Sequence, residues 1–152
     1  MDSRMIPTRF TETSVGDMFV VRNAGNLIPH SEHFVDEMTS CEPAGLELSC
    51  IVNDIRHVIV CGHSDCKAMN LLYKLKSKEE SNIVNTLQQL QNVASYGMLK
   101  KRLEKHDLHI HALWFDIYTG DIFYFSRRAK RFIIIDESTY ECILAEIRRY
   151  YS

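Results

Sequence analysis

Residues 58–67, Val-Ile-Val-Cys-Gly-His-Ser-Asp-Cys-Lys, place the strongest constraint on how this chain folds. The apolar run over 58–61 predicts a buried strand that ends at Gly62. The turn then brings His63 and Cys66 side by side, three residues apart. Imidazole and thiolate are the ligands that zinc prefers, so this stretch predicts part of a metal site. Two ligands do not complete a site, and a buried cysteine is ordinarily a small core residue.

The order of apolar patterns along the chain predicts an α/β fold. A mainly parallel sheet flanked by helices is expected, with a late hairpin turning at Thr119–Gly120 at one edge. Strands are predicted over 18–22, 58–61, 108–114, 123–125 and 132–135. Helices are predicted over 43–54, 69–75, 83–99 and 140–150. A helix or loop near 33–38 and a charged connection over 74–82 complete the assignment.

Length, charge and cysteine content exclude several classes of protein. A chain of 152 residues predicts a single domain, and its net charge of −2 argues against nucleic-acid binding. No apolar run approaches the roughly 20 residues that span a bilayer, and no signal peptide opens the chain. Five scattered cysteines, an odd number, favour a reducing compartment, with the cytoplasm as the expected location.

Two more blocks stand out beside the segment Cys61-Gly-His-Ser-Asp-Cys66. They are Asp2-Ser-Arg4 and Val21-Arg-Asn-Ala-Gly-Asn26. Charged residues at a chain end are ordinarily solvated, so the first block means little by itself. Together, in this order and spacing, the three blocks resemble the signature of the β-class carbonic anhydrases of the animal type. The resemblance continues through 85–96 and the hairpin motif at 115–120, and so covers nearly the whole chain.

The resemblance implies a zinc enzyme that reversibly hydrates CO2 to bicarbonate and a proton. In this family two cysteines and one histidine hold the zinc, and an Asp–Arg pair orients the bound water. His63 and Cys66 would then be metal ligands, and Asp2 and Arg4 the catalytic pair. The tight loop that supports the pocket would comprise Arg22, Asn23, Ala24, Gly25 and Asn26. A homodimer is implied as well, and some animal relatives carry a mitochondrial signal.

The sequence departs from the family pattern at the first ligand. The family block is Cys-x-Asp-x-Arg, which would place the first cysteine immediately before Met1. The domain over residues 1–152 is therefore expected to be incomplete at its N-terminus, without the arm and first strand. Asp2 is one replacement ligand; Cys61 is another, although its side chain is expected to point away from the site. Lys67 stands where most members of the family have glycine.

The sequence is also compatible with other functions. A catalytically silent family member, acting as an assembly partner or weak metal-binding module, is the alternative to the enzyme. A thiol-redox or zinc-sensing role for Cys61 and Cys66 fits less well, because their spacing is not Cys-x-x-Cys. His109 and His111 alternate along a strand, which favours solvated edge positions over a metal pair. The basic run at 127–131 is interpreted as a solvated loop.

Overall fold

A computed structural model describes residues 2–33, 41–75 and 82–151. The strands are β1 (His57–His63), β2 (His109–Phe115), β3 (Ile122–Ser126) and β4 (Arg131–Ile134). The α-helices are α1 (Pro7–Phe10), α2 (Cys41–Leu46), α3 (Lys67–Leu75), α4 (Asn82–Ala94), α5 (Gly97–Glu104) and α6 (Tyr140–Tyr151). A 3₁₀ turn (Ser31–His33) and a π-helical stretch (Glu47–Val52) complete the elements. The predictions for 34–38 and 76–81 lie outside the described residues.

The four strands form one sheet in the order β1-β2-β3-β4. β1 and β2 are parallel, with His57 opposite His109 and His63 opposite Phe115. The pairs β2–β3 and β3–β4 are antiparallel. The α/β class is therefore confirmed, but the sheet is mixed rather than mainly parallel. The predicted hairpin is also correct: β2 returns through a loop in which Gly120 takes a left-handed φ of 82°.

The strand predicted over 18–22 is absent from this sheet. The segment is extended but joins no ladder, and Phe19, Val20 and Val21 are each about half exposed. It runs past the free edge of β1, and Phe19, Val21 and Ile59 line a common cavity of about 530 Å³. β-Branched residues favour strands because they pack on a pleated surface beside a partner. Here the described residues place no neighbouring strand in that gap, so the same side chains line a groove.

Helix α4 covers one face of the β1–β2 pair, and the contact requires Gly62. A Cβ atom at this position would lie 1.9 Å from Thr86 Oγ1 and 3.0 Å from the Trp114 ring. Thr86 is fully buried on α4. The main core cluster lies on this side of the sheet and comprises Ile28, Cys50, Val60, Val93, Tyr96, Leu99, Leu108 and Ile110. The lack of a side chain at Gly62 therefore lets β1 pack close to α4. The strand does not end at Gly62 as predicted but continues to His63.

The long helix predicted over 83–99 is divided into α4 and α5. Tyr96 separates them with an extended backbone, φ −70° and ψ 120°, and its side chain is fully buried. The Tyr96 hydroxyl donates a hydrogen bond to the carbonyl oxygen of Pro29 at 2.9 Å. The apolar period is continuous across the break because both helices face the same core. Periodicity alone therefore could not locate the division.

The helix predicted over 43–54 is present as α2 followed by the π-helical stretch, but several apolar residues of that stretch face solvent. Cys50 is fully buried, whereas Leu48, Ile51 and Val52 are exposed. The wider π-helical winding rotates these side chains away from the face expected at a period of 3.6. Within the described residues, the helices are all too short or too polar to span a bilayer.

Candidate metal centre

His63 and Cys66 meet at the carboxyl end of β1. The strand runs through His63, and the backbone N–H of Ser64 continues the pairing by donating to the Phe115 carbonyl at 3.0 Å. Asp65 then takes a left-handed φ of 51°, which turns the chain so that Cys66 directly precedes α3. Both predicted ligands are buried, and both line a cavity of about 330 Å³. The structure thus brings together the two residues that the sequence singled out.

The position of the ring proton of His63 follows from its hydrogen bond. Nδ1 lies 2.8 Å from the Ser64 carbonyl oxygen, and a carbonyl only accepts, so Nδ1 carries the proton. In the neutral tautomer that this bond selects, the lone pair is on Nε2, which is the atom that would bind a metal. Ser64 is itself held in place: its hydroxyl donates to Asp116 Oδ1 at 3.0 Å and accepts from the Ile117 N–H at 2.9 Å.

The predicted Asp2–Arg4 pair is formed. Arg4 also contacts the turn between His63 and Cys66. Arg4 Nε and Nη2 donate to the two Asp2 carboxylate oxygens at 2.9 and 2.6 Å. Arg4 Nη1 also donates to Asp65 Oδ2 at 3.0 Å. These bonds from Arg4 lower the pKa of both carboxyl groups, that of Asp2 far below its ordinary value. Asp2 lines the same cavity as His63 and is ionised throughout the physiological range.

The loop 22–26, predicted to support the pocket, adjoins this cavity. Arg22 Nη2 donates to the carbonyl oxygens of Asp2 and Met5, each at 2.8 Å, and so fixes the turn that carries the Asp–Arg pair. Asn23 closes the loop by exchanging hydrogen bonds with the backbone of Leu27. Gly25 has a φ of 80°, and a Cβ there would lie 2.8 Å from the Met69 sulfur. Ala24 and Asn26 line the cavity as well.

Three amide side chains on α4 hold this loop, and the sequence analysis missed their role. Asn85 Nδ2 donates to the Gly25 carbonyl at 2.9 Å, and Gln89 Oε1 accepts from the Ile28 N–H at 2.8 Å. Asn92 Nδ2 donates to the Ile28 carbonyl at 2.7 Å. Gln89 is almost fully buried, although glutamine is ordinarily a surface residue. The signal was their spacing of four and three residues, which places all three on one face of a helix.

The donors at the cavity suit zinc, but they are too few. Within residues 2–33, 41–75 and 82–151, no three His, Cys, Asp or Glu side chains are grouped so as to hold a metal ion. Cys61 does not point away as expected: residues two apart on a strand share a face, and Cys61 lines the cavity with His63. Burial raises the pKa of its thiol to about 12, so it is protonated at neutral pH. His63 and Cys66 are thus two donors of the right chemistry.

Comparison with known proteins agrees with this geometry. The family model described as carbonic anhydrase matches residues 1–90. Beta carbonic anhydrase 1 of Caenorhabditis elegans is 39% identical over 215 aligned positions, which cover 99% of this chain and 80% of the relative. The Caenorhabditis briggsae protein of the same name is 38% identical and covers 98% of this chain and 79% of the relative.

Solved structures give the same result. The structure of the β-carbonic anhydrase CcaA superposes with a TM-score of 0.76 at 29% identity, over 88% of this chain and 80% of that one. The Coccomyxa β-carbonic anhydrase in complex with acetazolamide has a TM-score of 0.59 at 20% identity, over 95% of this chain and 79% of that one, which supports the fold alone. The motifs, the sheet and the sequence identity converge on one conclusion: the chain belongs to the β-class carbonic anhydrase family.

Proposed function

We propose that this chain catalyses the reversible hydration of CO2 to bicarbonate and a proton at a zinc site that includes His63 and Cys66. The observation that carries the proposal is their convergence on one cavity beside the Asp2–Arg4 pair. His63 directs Nδ1 at the Ser64 carbonyl, which leaves Nε2 to face a metal, and the adjoining carboxylate is ionised. These are the groups that a metal-assisted hydration needs from the protein.

His63 and Cys66 would hold the metal together with a third ligand, since a catalytic zinc takes three protein ligands and keeps one position open. In the family pattern a cysteine would stand immediately before Met1, and we propose such a cysteine as the third ligand. When bound, zinc supplies Lewis acidity that lowers the pKa of water to about 7. Asp2 is unsuited to the ligand role, because the positive charge of Arg4, held against both carboxylate oxygens, opposes a cation bound to the same group.

Asp2 instead acts on the water that is to be added to CO2. Each oxygen of an ionised carboxylate has two acceptor sites, so Asp2 can accept a further hydrogen bond while it stays bound to Arg4. Arg4 keeps the carboxylate ionised and fixes its orientation by a two-point contact. Asp2 is therefore the group that orients the water, and Arg4 is the group that positions Asp2.

The other wall of the cavity is suited to CO2, which is small and apolar. Side chains of Met5, Phe10, Met18 and Val20 line the same space as the two metal donors. Loop 22–26 closes one side, and its small residues allow the backbone to approach. The cavity thus combines an apolar surface for the gas with an ionised carboxylate for water.

A catalytically silent family member is the second candidate function. The observation that favours it is the count of donors: the described residues supply two good metal ligands and no group of three. Such a chain would bind zinc weakly and would act as an assembly partner. The two candidates differ in metal content and in activity, so one set of measurements separates them.

The test compares four proteins: the chain as it stands, the chain extended by a cysteine-bearing strand before Met1, and the extended chain carrying His63→Ala or His33→Ala. Zinc content is measured by atomic absorption and CO2 hydration by stopped flow. The extended chain should hold one zinc and hydrate CO2 faster as pH rises through neutrality. His63→Ala should lower the zinc content well below one per chain and the hydration rate by about 100-fold, whereas His33→Ala, on an exposed turn, should change neither. An inactive, zinc-loaded extended chain would contradict the enzyme and leave the silent member.

We further propose that the chain forms a homodimer. The exposed apolar side chains of Phe19, Val21 and Ile59 line the groove at the edge of β1, and such a surface favours association. The Sordaria macrospora relatives of similar fold are described as tetrameric. Analytical ultracentrifugation should give twice the monomer mass; a monomer at all concentrations would contradict the proposal. The cytoplasmic location expected from the sequence stays a prediction.

A further inference from the structure

Three histidines cluster at the amino end of β1, far along the strand from His63. His57 pairs with His109 in the parallel register, and His111 lies two residues further on the same face of β2. The rings of His57 and His109 have centroids 5.2 Å apart, and those of His57 and His111 are 5.3 Å apart. The sequence predicted that the two β2 histidines lie at a solvated edge. Instead β2 is an interior strand, and both are partly buried.

Two of these rings already direct nitrogen atoms at each other. His57 Nδ1 lies 3.1 Å from His111 Nε2, so one hydrogen is shared between them. Two imidazole nitrogens that bind one tetrahedral metal ion at about 2.0–2.1 Å are themselves about 3.3 Å apart. The observed separation therefore differs from that of a shared metal by only about 0.2 Å. A small opening of the pair would replace the shared hydrogen with a metal ion.

The surroundings favour the neutral form of the β2 imidazoles. Burial, together with the charges of His57, His109 and Arg127, lowers the pKa of His111 to about 4, so the ring is neutral at pH 7. Burial also lowers the pKa of His109. Neutral imidazole is the form that binds metal, and no proton has to be removed first. His57 is exposed, which leaves an open side where water can complete the coordination of an ion.

We propose that His57 Nδ1 and His111 Nε2 form a binding site for a divalent transition-metal ion, separate from the centre at His63 and Cys66. Imidazole suits nickel, copper and zinc and does not suit magnesium or calcium. The ring that carries the shared hydrogen passes it to its other nitrogen, so binding releases no net proton. Water fills the remaining positions, with the His109 imidazole adjacent. This site does not depend on the proposed carbonic anhydrase activity.

Nickel is the best probe, because imidazole binds it. Substitutions can then distinguish nickel bound at the histidine site from nickel bound at the thiol centre. Isothermal titration of Ni²⁺ into the full chain should show this binding, and His57→Ala and His111→Gln should each weaken it at least tenfold. His33→Ala removes a histidine outside the cluster and should leave the affinity unchanged. Cys66→Ser should also retain it, because the two centres lie at opposite ends of β1. Unchanged affinity in both His57→Ala and His111→Gln would overturn the proposal.

A second measurement needs no substitution and covers the case in which His111→Gln does not fold. Ni²⁺ is paramagnetic, so substoichiometric Ni²⁺ should broaden the ring-proton resonances of His57 and His111 first in the unaltered chain. The resonances of His30 and His33, which contact each other elsewhere, serve as internal controls. Equal broadening of all four would mean general surface binding and would overturn the site.

Discussion

The two ends of β1 carry histidines on the same face of the same strand, yet their surroundings differ. At the carboxyl end His63 is buried, bonded to the backbone of Ser64 and adjacent to an ionised carboxylate. At the amino end His57 is exposed and bonded to another imidazole. Loops converge beyond the carboxyl ends of parallel strands, and they bring Asp2 and Cys66 to His63. The chemistry of a histidine in this sheet is thus decided by which end of the strand it occupies.

The largest effect is expected from a change at Gly62, the residue that allows the carboxyl end of β1 to pack against α4. Gly62→Ala should destabilise the fold by about 3–4 kcal/mol, because the added methyl would overlap Thr86 and press on Trp114. Thermal or urea unfolding measures the loss. Gly97→Ala, where a Cβ meets no neighbouring atom, is the matched control and should change stability little. Equal stability of the two variants would contradict the packing described.

The next largest effect tests whether the carboxylate distinguishes the carboxyl end. In the zinc-loaded extended chain, Asp2→Asn should lower kcat by about 100-fold, because the amide is neutral and offers one acceptor oxygen instead of two. Zinc content should be retained, since Asp2 is a positioning group for water and not a ligand. Stopped-flow hydration and metal analysis on the same sample give both values. Loss of zinc with the activity would show that Asp2 ligates the metal.

A smaller effect is expected from the helix that supports the loop at the carboxyl end. Gln89→Leu leaves the buried Ile28 N–H without its acceptor and should cost about 2 kcal/mol of unfolding free energy. Gln91→Leu makes the same change at an exposed position of α4 and should be nearly neutral. Urea denaturation of both variants checks the difference. Equal stabilities would mean that the buried amide does not contribute.

The smallest effect lies away from both ends and gives a reference for pH. Ser138 and Thr139 donate to the Asp136 carboxylate before α6, and these bonds lower its pKa. The unfolded state therefore binds the proton more tightly, so this contribution is present above pH 3.8 and is lost as pH falls below it. Asp136→Ala should lower the free energy of unfolding slightly at pH 7 and by less near pH 3, where the carboxyl group is protonated in both states. A cost that did not change with pH would exclude this cause.

Local pattern predicted the parts of the fold in which one side of an element faces the core. The period of two found β2, and the turn chemistry at Gly120 found the hairpin. Local pattern failed where contact with a distant segment of the chain decides which secondary structure forms. The run at 18–22 has strand composition, but the described residues include no strand beside it. Tyr96 interrupts a continuous apolar period because its hydroxyl bonds to the distant Pro29.

The positions of the candidate site residues were partly predictable, and their roles stay predictions. His63 and Cys66 were singled out by residue type and spacing, whereas Asp2 and Arg4 were assigned through the family resemblance. Asn85, Gln89 and Asn92 were missed because ordinary polar helix residues acquire a role only when the loop folds onto them. Cys61 was placed on the wrong face, although the alternation of strand side chains was sufficient to place it correctly. His57 lies beside the β2 histidines because of the register of the parallel β1–β2 pair. That register cannot be derived from the sequence pattern.

The hydrogen bonds of Ser64 give the β2–β3 hairpin an unexpected importance for evolution and design. The Ser64 hydroxyl links the strand end of His63 to Asp116 and Ile117 at the start of that hairpin loop. Surface hairpin loops usually tolerate insertions, deletions and grafted sequences. This one is a poor place for them, because a change of loop length would shift Ser64 and rotate the imidazole that it orients. An insertion in this hairpin loop, far from His63 in sequence, should therefore lower the zinc affinity of the proposed site.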